Sequence, residues 1–220
     1  MGKSILLIVI ATAGLFSCKQ GSKSKPETVN IETINSVRNY EYTDSMGKHL
    51  IVQNGGPKGE SYTDPNGNKY FKTIFWTRII NETDKPLVLK IDFPIDSYEV
   101  PGIPGEYSKV LVPPDTMTID KEQLYGYGLT GLKSFLDNSL SKPSSLKRTI
   151  NPKESSGFYV VILRPMPEGL NGILRTGLTI KGQNLFYRIS RYKSTPEHSL
   201  MEEKEINCGS INLKNLILQK

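Results

Sequence analysis

The sequence predicts an all-β fold, an antiparallel two-sheet sandwich carrying one short inserted helix at about residues 130–140. Three observations lead there. Short apolar runs recur between clusters of Gly, Pro, Asn and Asp from about residue 40 onward. Several of these runs alternate with period two or are rich in β-branched and aromatic residues, as half-buried and central strands are. Only one stretch shows apolar residues at helical spacing.

The elements follow in chain order. Residues 49–53 form a first short strand. Residues 69–80, with Tyr70, Phe71, Ile74, Phe75, Trp76, Ile79 and Ile80, are apolar on both faces toward the end and suit a central strand. In Leu87–Phe93 every odd position is apolar while Lys90 and Asp92 face the other way, so one face is buried. Between them Asn81-Glu82-Thr83-Asp84-Lys85-Pro86 consists of turn-formers, which predicts that the two strands pair antiparallel. Residues 109–112 and 116–119 are two more short strands. Residues 157–163 are the most apolar run downstream, and residues 172–181 and 185–190 read as a hairpin about Gly182-Gln183-Asn184. Val112-Pro113-Pro114-Asp115-Thr116 and Ile150-Asn151-Pro152-Lys153-Glu154 each end one strand and start another. In the helical stretch Leu132, Phe135, Leu136 and Leu140 share a stripe and Thr130 is placed to cap the start.

A chain of 220 residues has room for one domain of ordinary size with a real core. It is 37% hydrophobic and 23% charged, with 19 Gly and 14 Pro, which describes a turn-rich globular body and not a disordered one. The net charge of +6 is spread along the chain without a dense Lys/Arg tract, so no nucleic-acid partner is expected. The two cysteines, Cys18 and Cys208, are not expected to pair. Together with two histidines, His49 and His198, they give no spacing that makes a zinc site, and no metal or cofactor is expected.

The opening residues give an address. Lys3 is followed by fourteen uncharged residues, Ser4 to Ser17, too few to span a bilayer as a helix and right for the apolar part of a removable export signal. They end in Leu15-Phe16-Ser17-Cys18. This ending resembles the lipobox of bacterial lipoproteins, with an aliphatic residue three places and a small residue one place before the cysteine; Phe16 is bulkier than is usual at its position. The resemblance implies removal of residues 1–17, acylation of Cys18 and membrane lipid as the anchoring partner. Two or three acyl chains on one residue hold a protein where one would bind only marginally, at about 0.8 kcal/mol per buried methylene. Residues 18–39 then follow as lipidated cysteine and flexible tether, beginning Lys19-Gln20-Gly21-Ser22-Lys23-Ser24-Lys25-Pro26, and residues 40–220 as a single sandwich domain. The location implied is the bacterial cell envelope, and Lys19 after the cysteine is compatible with sorting to the outer membrane. The strand pattern of the body resembles immunoglobulin-like sandwiches of exported bacterial proteins, without the paired cysteines that flank the tryptophan of antibody-type domains.

The catalytic inventory is thin, and no catalytic residue is nominated. The nucleophile-elbow motif and phosphate-cradling glycine loops are absent. His49 opens a strand and His198 sits in a loop. Asp64-Pro65-Asn66-Gly67-Asn68 starts like a calcium loop, but Lys69 and Phe75 stand where glycine and the closing glutamate are needed, so Asn66-Gly67 is a hairpin turn. Cys208 is expected to be a buried structural thiol. The most suggestive stretch is Leu124-Tyr125-Gly126-Tyr127-Gly128. If extended, it puts Tyr125 and Tyr127 on one side, where the rings would lie against a sugar ring or a peptide, with Tyr98 in the proline-braced loop 94–104 bordering the same surface. The sequence therefore predicts an envelope-anchored binding or scaffolding domain whose specific ligand it does not name, a glycan or an envelope protein being the candidate partners, with a surface glycan-binding or glycan-processing component or an envelope hydrolase as alternatives.

Overall fold

The computed structural model describes residues 30–34, 37–43, 47–94, 97–166, 174–194 and 199–213. In chain order the strands are β1 (Asn30–Ile34), β2 (Val37–Thr43), β3 (His49–Asn54), β4 (Lys58–Thr63), β5 (Lys69–Asn81), β6 (Leu87–Phe93), β7 (Tyr98–Glu99), β8 (Tyr107–Leu111), β9 (Thr116–Met117), β10 (Ser144–Ile150), β11 (Ser155–Pro165), β12 (Leu174–Lys181), β13 (Asn184–Ser194) and β14 (Ser199–Ile211), with helix α1 (Leu132–Ser139) between β9 and β10. A nine-stranded sheet runs β1-β2-β3-β5-β11-β8-β7, with β4 on β5 and β9 on β11; a five-stranded sheet runs β10-β6-β14-β13-β12. All pairings are antiparallel, and the two sheets pack as an all-β sandwich.

The large sheet is buried on both faces at its centre, and the sequence explains why. On β11 Phe158, Val160 and Ile162 point into the core between the sheets, while Tyr159, Val161 and Leu163 point to a second core on the outer face. Phe75 and Ile79 of β5 join the first core and Ile74 and Trp76 the second. Leu89, Ile91, Leu178, Tyr187 and Ile189 supply the small sheet's half of the first core. Each such side chain contributes roughly 1.5 to 3 kcal/mol by leaving water. The second core is roofed by the segment 119–140, whose helix puts Leu132 and Leu136 inward with Phe135 and Leu140 half-buried beside them. This stripe is the one expected. The cap is not Thr130 but Gly131, whose φ of 67° turns the chain into the helix without a side-chain cap.

Other expectations are corrected. Strands β5 and β6 do not pair: β5 lies between β3 and β11 in the large sheet, whereas β6 lies between β10 and β14 in the small one. The turn-formers 82–86 carry the chain across the sandwich instead of folding it back in one sheet. The residues expected to be tether include β1 and the start of β2, which pair from Asn30↔Glu41 to Ile34↔Val37, so ordered structure begins ahead of residue 40. The polar strands β4, β10 and β14 are additions to the sequence reading. Glu202, Glu203, Lys204 and Glu205 mask the alternation of β14. The hairpin β12–β13 is as expected, turning at Gly182 with φ 62°.

The β12 edge of the small sheet is covered by side chains that stand in for a neighbouring strand, while the β10 edge is tied to the large sheet by its own side chains. At β12 the Asn54 amide donates to Leu178 O at 3.2 Å and its oxygen accepts from Leu178 N at 2.8 Å, while Tyr42 Oη accepts from Ile180 N at 2.8 Å. At β10 the Ser144 hydroxyl accepts from Val112 N at 2.6 Å and donates to Val112 O at 3.2 Å, and Arg148 donates to Pro114 O. An unpaired strand edge invites pairing with another chain, and the bonds to Leu178 and Ile180 remove that hazard along this stretch of β12. Cys208 is fully buried in the first core, and burial pushes its thiol up to about 12, so it packs and does not react.

Candidate binding site

Strands β3 and β4 run along the same side of β5 and are joined by Gly55-Gly56-Pro57. Gly55 N donates to Trp76 O, and a Cβ at position 55 would sit 2.1 Å from the Trp76 indole nitrogen, so only glycine lets the chain pass there. Gly56 leaves a carbonyl pointing outward. The segment 124–129 folds over that carbonyl.

Gly126, Tyr127 and Gly128 have φ of 53°, 57° and 62°, three successive residues in the left-handed region. Glycine adopts this at no steric cost; for a tyrosine it costs about 1 to 2 kcal/mol. Four contacts hold Tyr127 there. Its hydroxyl donates to Gly56 O at 2.7 Å, its carbonyl accepts from Tyr159 Oη at 2.9 Å, its ring meets Trp76 edge-on at 6.5 Å, and Lys58 Nζ lies 3.9 Å from the ring centre. Lys58 also donates to Glu122 O and Leu124 O at 2.8 and 2.7 Å, pinning the loop to β4. The segment is thus a turn and not extended, so the two rings do not share a side. Tyr127 enters the second core, whereas Tyr125 is 83% exposed.

Tyr125 is exposed but held. Its hydroxyl donates to Glu60 Oε2 at 2.7 Å, and Glu60 Oε1 pairs with Lys72 Nζ at 2.9 Å. Lys72 lies 6.0 Å from the Tyr62 ring, whose hydroxyl donates to Asp137 of α1 at 2.8 Å. Beneath Tyr125 is an open cleft of about 250 Å³ lined by Lys58, Gly59, Glu60, Ile74, Tyr125 and Gly126. The electrostatics follow the contacts. The Lys72 ammonium and then the Tyr125 hydroxyl hold the Glu60 carboxyl below its ordinary range, and the Glu60 carboxylate raises Tyr125. Desolvation lowers Lys58 and pushes Tyr127 up to about 12. The site offers an aromatic face, a carboxylate and the Lys58 ammonium around a small apolar floor made by Ile74, with the buried Lys72 ammonium behind Glu60.

The remaining candidates lie elsewhere. Tyr98 is half-buried on β7, packs against the core between the sheets and does not line the cleft. His49 bonds Thr43 and pairs with Glu41 at the end of the β2–β3 hairpin. Asp64 is a turn former: its carboxylate accepts from Asn66 N, Asn68 N and Asn68 Nδ2, and Gly67 takes φ of 86°, so the hairpin expected at Asn66-Gly67 is present. Cys18, with the whole leader, and His198 lie outside the described residues. Among the described residues no group of three or more His, Cys, Asp or Glu is placed to hold a metal ion, and no helix is long and apolar enough to cross a membrane.

Lys58, Glu60 and Lys72 were not nominated from sequence. The Asn66-Gly67 turn was only part of the signal: a two-residue turn there would set Glu60 opposite Thr73, whereas the loop is centred on Asn66 and sets Tyr62 opposite Tyr70, Glu60 opposite Lys72 and Lys58 opposite Ile74. No protein-family model matches the chain, and neither a curated protein nor a solved structure matches it.

Proposed function

We propose that the chain is a lipid-anchored lipoprotein of the bacterial cell envelope whose β-sandwich binds a ligand, with the cleft beneath Tyr125 as the contact surface. The observation that carries the binding reading is a large aromatic ring left 83% exposed yet fixed through its hydroxyl to Glu60. An exposed tyrosine that is already oriented loses little conformational entropy when something stacks on it. A sugar ring suits the place: its apolar face lies on the tyrosine, and its hydroxyls reach the Glu60 carboxylate that lines the cleft. The anchor reading rests on Leu15-Phe16-Ser17-Cys18 and on the polar residues 19–26 after it.

Replacing the anchoring residue tests the first half. In a Cys18→Ala variant expressed in a bacterial host, the protein is expected to leave the membrane pellet almost completely. The native protein is expected to stay there and to carry acyl mass on Cys18. A native product with a bare thiol or an uncut leader contradicts the anchor.

A further inference from the structure

The face of the small sheet that points away from the sandwich carries a second cleft, of about 370 Å³, lined by Val88, Lys90, Lys147, Gln183, Ser210, Ile211 and Asn212. It lies where β10, β6 and the end of β14 meet the β12–β13 turn. Its position is fixed by backbone. Asn212 N donates to Val88 O at 2.9 Å and Ile211 N to Gln183 O at 3.0 Å, which ties the wall to the floor. Gly209, at φ 137°, lets β14 come so close to β6 that a Cβ there would sit 2.0 Å from Lys90 O.

The charges in this cleft are of one sign. Lys147 and Lys90 are direct cross-strand partners, and Ser210 is the partner of Lys90 on the other side. Like charges facing each other across a ladder destabilise it by some tenths of a kcal/mol, so natural sheets place a counter-charge nearby or use the pair. Neither lysine joins an ion pair among the described residues. No carboxylate lines the cleft. Asp92, next along the same face of β6, is the partner of Ser145 and stays outside it.

Two ammonium groups, a serine hydroxyl and a glutamine amide around a shallow apolar floor make a set of donors for an oxyanion with an organic substituent. We propose that this cleft binds a phosphate ester, with the phosphate between Lys90 and Lys147 and its organic group over Val88. The site is separate from the Tyr125 cleft and stands or falls independently of it. The phosphate ester is either a phospholipid headgroup or a small soluble phosphate, and the same chemistry recognises both.

The test uses the chain carrying Cys18→Ala, labelled with nitrogen-15, titrated with glycerol 3-phosphate and, separately, with vesicles of phosphatidylglycerol or phosphatidylcholine. Glycerol 3-phosphate is expected to shift the amides of Lys90, Lys147 and Ser210 saturably, while glycerol leaves them unmoved. A Lys90→Gln, Lys147→Gln double variant is expected to bind about tenfold more weakly or worse, with a melting temperature that does not fall, because it removes a repulsion and no packing. Vesicle binding that requires phosphatidylglycerol and both lysines identifies the lipid headgroup as the source; a response to glycerol 3-phosphate alone identifies a soluble ester. The absence of any shift at these residues, or shifts of the same size in the double variant, overturns the proposal.

Discussion

Asn81→Ala is expected to lower the unfolding free energy by about 3 to 5 kcal/mol, which is a large part of the stability of an ordinary domain. The side chain is fully buried at the point where the chain crosses between the sheets twice, through residues 82–86 and 151–154. Its amide donates to Lys85 O at 2.8 Å, Ile150 O at 3.0 Å and Asn151 O at 3.1 Å. Its oxygen accepts from Thr83 N at 3.1 Å and Thr83 Oγ1 at 2.6 Å. Alanine leaves the Ile150 carbonyl and the Thr83 amide and hydroxyl buried without that partner, each costing about 1 to 3 kcal/mol before the corner relaxes, while the Lys85 and Asn151 carbonyls are only partly buried. Urea denaturation should show a lower midpoint with an unchanged slope. A loss below about 1 kcal/mol would mean that water replaces the asparagine and that the corner is not held by it.

Asn54→Leu is the second large effect, expected at about 2 to 4 kcal/mol, and it separates polar from packing contributions. Leucine nearly keeps the volume, so no cavity term is added. What is lost is the pair of bonds to Leu178 and the bond accepted from Thr77 Oγ1 at 2.8 Å. The edge of β12 is then open at Leu178, with Tyr42 still bonded to Ile180 N. Amide hydrogen exchange is the direct readout: Leu178 N–H should exchange far faster in the variant than in the native protein, with the central strand β11 less affected. Unchanged protection at Leu178 would show that the edge is closed by something other than Asn54.

These two asparagines also show where sequence reasoning ends. The alternation of Leu87–Phe93 and the apolar density of residues 157–163 depend on local pattern and predicted the strands correctly. Asn54 meets Leu178 across 124 positions and Asn81 meets Ile150 across 69, and nothing in Asn-Gly-Gly or Asn-Glu-Thr distinguishes a buried hub from a turn residue. The pairing of β5 with β6 was misread for the same reason, since turn-formers mark where a chain bends and not which sheet it enters. At the cleft the two tyrosines were visible but their geometry was not. The flanking Gly126 and Gly128 were the usable signal, because glycines on both sides of a tyrosine permit a left-handed turn that sends alternate rings to different faces. Counting outward from a two-residue Asn66-Gly67 turn would set Glu60 opposite Thr73, one residue off; only the three-residue loop centred on Asn66 puts it opposite Lys72.

The central claim is that a ligand stacks on Tyr125, and the most direct measurement is a titration of common hexoses, N-acetylhexosamines and their disaccharides followed by the resonances of Tyr125, Gly126 and Glu60. At least one saccharide is expected to shift these signals saturably near pH 7, with affinity falling about tenfold in Tyr125→Ala while the melting temperature stays put, because an exposed ring contributes little to folding. Since the Glu60 carboxyl is held below its ordinary range, its bond to Tyr125 and hence the affinity should persist through mildly acidic pH and fail only as pH drops through that lowered value. Signals that no saccharide moves, or that move equally in Tyr125→Ala, would contradict the account.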